Sequence, residues 1–260
     1  MRKKIAPIFL ALFILLVVLN GAAWGYSYYG YSQWGGTWHD VNKTGTNDSR
    51  MCWAAAAANI LAWGHWGAAG YNTATAIFDN FKYHWTNEGS LMNYGWQWWL
   101  NGTLPDNWFG WAQVNESGGG NYWPRADFNG KFYETLTGDL MLAVDRYLHA
   151  GYGVSIAIYK PDNGHALTVW GFEAGEGGVY QSIYATDSDD FWTSSDPVLK
   201  KFPVTWNSTM NYYELGGDNY SGWHIGEVQA LDRNVPLPAT VILFGSGLLG
   251  LVGLRRWWRN

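Results

Sequence analysis

The chain has 260 residues and a net charge of −5 with only 14% charged residues, which excludes a basic nucleic-acid-binding surface. Its 19 Trp, 17 Tyr, 11 Phe and 33 Gly suit a loop-rich, exported protein, and the length allows one sizeable core. A single cysteine, Cys52, excludes any intramolecular disulfide, so an exported chain must bury this thiol or use it.

Residues 1–25 read as a secretory signal: Arg2, Lys3 and Lys4 are followed by an apolar run over 5–19 and a small-x-small site at Ala23-Trp24-Gly25. The run is short for a membrane span, which favours cleavage over an uncleaved anchor. Residues 26–36 (YSYYGYSQWGG) are low-complexity aromatic and glycine, the composition of a flexible lead-in. A domain over 37–233 follows. Residues 38–44 alternate weakly, and Gly45-Thr46-Asn47 forms a turn ahead of a helix. Asp48 and Ser49 are N-cap residue types, so that helix starts within a residue or two of Arg50 and runs through the alanines 54–58, with Ile60 and Trp63 on its apolar face.

A second amphipathic pattern spans 71–85 through Ala76, Ile77 and Phe81. Between 89 and 123 no single period fits; Trp96, Trp98, Trp99, Trp108, Trp111 and Trp123 are either packing for a loop-rich region or one wall of a substrate cleft. Helical spacing returns over 139–150, with Thr137 as N-cap and Gly151 as stop. Strands are expected over 153–159, 165–172 and 179–186, then 199–202, 210–214 and 225–231. Helices first and antiparallel strands afterwards give an α+β fold.

Cys52 falls in the first helical turn, where unpaired N–H groups and the helix dipole favour a thiolate; the alternative is a small buried hydrophobe. Strands 165–172 and 179–187 form a hairpin about a glycine turn centred near 176. That centre sets His165 opposite Asp187 on one face, either as an ordinary cross-strand pair or as an imidazole held by a carboxylate. Asp189 and Asp190 follow in the loop. A cysteine on a helix N-terminus with a later histidine and aspartate is the layout of papain-like cysteine peptidases. No metal or cofactor is expected: the six histidines lack HExxH spacing, and one cysteine cannot build a thiolate cluster.

Four blocks, WHDVNKT (38–44), DSRMCWAAAAANILAWGHW (48–66), GHALTVWGF (164–172) and YATDSDD (184–190), together resemble the IdeS/Mac immunoglobulin-degrading cysteine endopeptidases. The resemblance implies a papain-like fold in which a helix carrying the cysteine packs on an antiparallel sheet. It implies Cys52 as nucleophile, His165 as general acid and base, Asp187 as the residue orienting the imidazole, Asp189 in support, and Lys43 near the oxyanion hole with the backbone N–H of Cys52. The Trp-rich middle departs from that family, so antibody cleavage is not carried over, and the expected substrate is a protein of unspecified identity.

Residues 235–260 resemble the PEP-CTERM sorting signal: Val235-Pro236-Leu237-Pro238-Ala239, an apolar run over 239–254, and a basic end at Arg255, Arg256 and Arg259. That likeness implies export across the inner membrane of a Gram-negative bacterium and an exosortase-type processing partner. Membrane contact through 239–254 is then transient, or stable if the tail is a plain anchor, and the end product is secreted or held at the cell surface. Two functions fit the sequence: an exported cysteine endopeptidase, and a non-catalytic, aromatic-rich protein that binds extracellular polysaccharide.

Overall fold

The computed structural model describes residues 25–103, 110–115, 119–190, 197–217 and 219–234. The signal segment up to residue 24, Trp108 and the tail from 235 onward lie outside these residues. Among the described residues, no helix is long and apolar enough to cross a membrane.

The α+β reading holds, and the antiparallel sheet, on whose closure the sequence was silent, closes on itself. Six antiparallel strands, β3 (Gly153–Lys160), β4 (Asn163–Ala174), β5 (Tyr180–Thr186), β6 (Lys200–Asn207), β7 (Tyr212–Leu215) and β8 (Trp223–Leu231), pair in a ring. The pairing of β4 with β5 completes it, so none of the six is left as a free edge. Two short strands extend the ring. β1 (Tyr26–Tyr29) pairs with the end of β4, and β2 (Phe132–Thr135) with the end of β8. The expected flexible lead-in is thereby corrected: its tyrosines have a pairing edge in β4 beyond the point where β3 ends, and a one-turn helix α1 (Gly30–Gln33) follows.

The cysteine helix α2 (Cys52–Trp63) begins where expected but is capped differently. Met51 is the N-cap and supplies no side-chain bond, because Asp48 turns back to accept from the Thr44 and Gly45 amides at 2.9 and 2.8 Å. Helices α3 (Ala74–His84) and α4 (Met92–Asn101) pack against α2 on the side away from the sheet. Helix α4 lies inside the stretch where no period was legible; Trp96, Trp98, Trp99 and Leu100 on it are buried, which settles those tryptophans as core. The later helix α5 (Leu140–His149) is capped by Asp139, which accepts from the Leu142 amide at 2.9 Å, and not by Thr137.

Two apolar cores share the sheet as their boundary. The inward residues of the strands, among them Ile156, Leu167, Val169, Ile183 and Val228, cluster with Met141, Val144 and Leu148 of α5. On the outer face, Ala166 joins the cluster of α2, α3 and α4. The alanines of α2 let it lie close to the sheet, and Gly153 is part of the same fit: a Cβ there would sit 2.6 Å from Ile60 Cγ2.

Alignment of helix and sheet is fixed by one buried amide. Asn59 Nδ2 donates to Thr168 Oγ1 on β4 at 3.1 Å, and Asn59 Oδ1 accepts from the Val41 amide at 3.1 Å. Replacing it strands two buried polar groups, each costing about 1–3 kcal/mol. Asn59→Leu, which keeps the volume, is expected to lower the urea midpoint by an amount equivalent to about 2–4 kcal/mol. An unchanged midpoint would show that apolar packing alone aligns the helix.

Candidate active site

Three chain segments converge at the N-terminus of α2. Cys52 is the first helical residue and is half-buried. The first N–H groups of a helix lack intrahelical acceptors, so they point at any group beyond the terminus. His165 lies near the start of β4. Along β4, Ala166, Thr168 and Trp170 face the helix, whereas His165 lies on the other side with Leu167 and Val169.

His165 and Asp187 meet, though not as direct cross-strand partners. The β4–β5 ladder starts at Thr168 opposite Thr186, two residues out of the expected register, with irregularities near Gly171 and Ala174. Bulges at those points shift the pairing that a simple turn centre predicts. Both residues therefore lie just past the paired stretch, as diagonal neighbours on one face. His165 Nε2 is 2.9 Å from Asp187 Oδ1. The other ring nitrogen, Nδ1, is left to the Cys52 side, where imidazole and thiol favour each other's charged forms, and it lies 3.6 Å from Asp189 Oδ2.

Asp187 is almost fully buried and every oxygen is used. Oδ1 also accepts from the Asp189 amide at 3.0 Å, and Oδ2 accepts from the Tyr220 hydroxyl at 2.7 Å. The Tyr220 ring stacks on His165 with centroids 5.6 Å apart and planes 18° apart. Tyr220 was missed in the sequence, because it sits in a glycine-rich turn whose place beside His165 no local pattern reveals.

Lys43 reaches the same point from the 38–44 segment, which is not a strand but is pinned by bonds to the end of β5 and the loop after it. Thr186 Oγ1 donates to the His39 carbonyl at 3.0 Å, and the Lys43 amide donates to the Ser188 carbonyl at 2.9 Å. Its buried ammonium donates to the Ser49 carbonyl at 2.8 Å and pairs with Asp189 Oδ1 at 2.6 Å. All five residues singled out in the sequence are thus brought together.

Their charges are tuned against burial. Burial pushes the Cys52 thiol up, but the His165 hydrogen bond and charge, the Lys43 ammonium and the Ala166 amide outweigh it, so its pKa is lowered. For His165, burial works downward and is overcome by Asp187 and Cys52, leaving the imidazole well above its ordinary value, at about 10. Burial raises Asp187, yet His165, the Asp189 amide and Tyr220 hold it down to about 2. The favoured state is a thiolate–imidazolium pair beside a carboxylate.

A cleft of about 600 Å³ opens over this cluster, lined by Cys52, His165, Lys43 and Asp189, with Trp111, Tyr159, Trp223, Leu91 and Met92 among its walls. Among the described tryptophans of the Trp-rich stretch, Trp111 is the one that forms wall. Tyr159 depends on a bulge in β8: Ala157 pairs with Glu227 and Ile158 with Ile225, leaving Gly226 over. A Cβ on Gly226 would fall 2.5 Å from the Tyr159 ring, so only glycine lets that ring lie there. His165, Asp187 and Asp189 each offer one atom to a metal within 4.8 Å of the others. His165 Nε2, Asp187 Oδ1 and Asp189 Oδ1 are engaged with protein partners, and the Lys43 ammonium places a positive charge beside them.

Residues 234–256 match the family model of the PEP-CTERM protein-sorting motif. The match supports export through the inner membrane of a Gram-negative bacterium to the cell surface or extracellular space, and it is consistent with an exosortase-type processing partner. Among curated proteins the chain has no match.

The ion pair sets a pH window. A lowered thiol pKa keeps thiolate present below the ordinary range of about 8.5, and the imidazolium persists until pH rises through about 10. Alkylation of Cys52 by iodoacetamide is expected to be half-maximal at a lower pH than that of a free cysteine thiol, and His165→Ala to move that midpoint upward. An identical profile in the variant would show that the two side chains are uncoupled.

Proposed function

We propose that the protein is an exported cysteine endopeptidase with a papain-like catalytic layout, hydrolysing peptide bonds through Cys52, His165 and Asp187. The observation that carries this reading is the convergence of a thiol, an imidazole and a buried carboxylate at one helix N-terminus, with His165 hydrogen-bonded to Asp187 and the group opening on a cleft large enough for a peptide segment. The likeness of the four sequence blocks to the IdeS/Mac endopeptidases supports the same roles.

In this mechanism the Cys52 thiolate attacks the scissile carbonyl carbon, and the carbonyl oxygen becomes an oxyanion. The helix N-terminal N–H groups face it, and Lys43, with two of its three N–H donors used on Ser49 and Asp189, brings a third. His165 gives its Nδ1 proton to the leaving amine as the C–N bond breaks, producing an acyl-enzyme. The neutral imidazole then takes a proton from water, whose oxygen attacks the thioester carbonyl. Collapse releases the acid and restores the ion pair. Asp187 holds the ring orientation and its charge throughout, and Tyr220 keeps Asp187 in place.

Polysaccharide binding would draw on exposed aromatic rings. Trp96, Trp98 and Trp99 are spent in the core, whereas Trp34, Tyr83 and Trp206 are exposed, so the preference for the peptidase reading rests on the Cys52–His165–Asp187 geometry. Purified Cys52→Ala and His165→Ala are expected to keep the fold and lose cleavage of an unfolded protein such as casein. Lys43→Met is expected to retain a residue of activity reduced by a factor of about 10² to 10³, the worth of one oxyanion donor. Full turnover by Cys52→Ala would overturn the assignment.

A further inference from the structure

Both ends of the described chain leave the domain at the pole away from the cleft. Strand β4 runs from His165 to Ala174, a distance of about 30 Å, and Tyr26 pairs with Ala174 at its far end. Helix α2 likewise carries Cys52 at one end and Trp63 at the other, about 16 Å on. Beyond Trp63, the Asn234 amide donates to the Gly64 carbonyl at 2.7 Å, so the chain departs there toward its sorting motif. Arg233 joins the two exits: Nη1 donates to the Trp34 carbonyl at 2.7 Å, and its guanidinium lies 4.7 Å from the Trp63 ring centre. Trp34 Nε1 and the Tyr28 hydroxyl donate to one acceptor, the Leu148 carbonyl, at 3.1 and 3.3 Å.

This pole exposes large apolar side chains. Tyr26 is 45% exposed, Trp34 43% and Val179 64%, the last in the turn closed by the Gly175 amide donating to the Val179 carbonyl. Tyrosine and tryptophan beside an arginine suit the boundary between headgroups and acyl chains. The link from Asn234 to the apolar run that begins at Ala239 spans at most about 17 Å, so a bilayer holding that run lies within reach of the same surface.

We propose that this pole is a membrane-contact surface whose occupant is a lipid bilayer, and that the tethered domain stands on it with the cleft facing away. The proposal goes beyond the peptidase reading and does not depend on it. It is tested with the full chain carrying Cys52→Ala, reconstituted in vesicles of phosphatidylethanolamine and phosphatidylglycerol that include doxyl-labelled lipid. A fluorophore is attached through Val179→Cys at the pole or through Asp162→Cys beside the cleft. Quenching several-fold stronger at 179 than at 162 is expected, and the paired change Tyr26→Ser with Trp34→Ser should weaken it. Equal quenching at the two positions, stronger quenching at 162, or no effect of the paired change would overturn the proposal.

Discussion

The arrangement depends on the lateral position of one helix against one strand, and the side chain that fixes it is Asn59. Its amide joins α2 to β4 and to the segment that delivers Lys43, so a single buried polar group aligns the carriers of thiol, imidazole and ammonium. Alanines alone would let the helix slide, since their packing has little directional preference. Two hydrogen bonds in a dry interface remove that freedom, because a slipped helix would leave donor and acceptor unpaired.

Charge at the site is likewise held by surroundings that individually oppose it. Cys52, His165 and Asp187 are all penalised by burial; His165 is kept charged by the two anions, and each anion by His165 with help from its own neighbours, Lys43 and the Ala166 amide for Cys52, Tyr220 and the Asp189 amide for Asp187. Asp187 is the anchor of the set, with Tyr220, the Asp189 amide and His165 all directed at it. Asp189 is more exposed and divides its oxygens between Lys43 and the imidazole edge, which couples the cation that faces Cys52 to the histidine that partners it.

Much of this was legible in the chain. The N-terminal placement of Cys52 followed from the alanine run, and the β block from its apolar alternation. The choice of His165 and Asp187 rested on a turn centre, and it survived a two-residue error in register only because the side chains reach diagonally. What was not legible is what depends on distant contacts. Asn59 is the one polar residue within α2, and its role was not read from the sequence, because its partners are over a hundred residues away or in a loop. Closure of the sheet requires β4 to pair along both edges, a property of three-dimensional curvature. Helix α4 is only ten residues long and tryptophan-rich, too brief for its period to emerge.

The central claim is that Cys52 and His165 exist together as an ion pair, and the imidazole reports on it directly. In ¹⁵N-histidine NMR at pH about 8, with the His165 signals identified by their loss in His165→Ala, both ring nitrogens should be protonated, since Asp187 and Cys52 outweigh burial and hold the ring charged to about pH 10. A neutral ring at that pH, with one protonated and one bare nitrogen, would contradict the account.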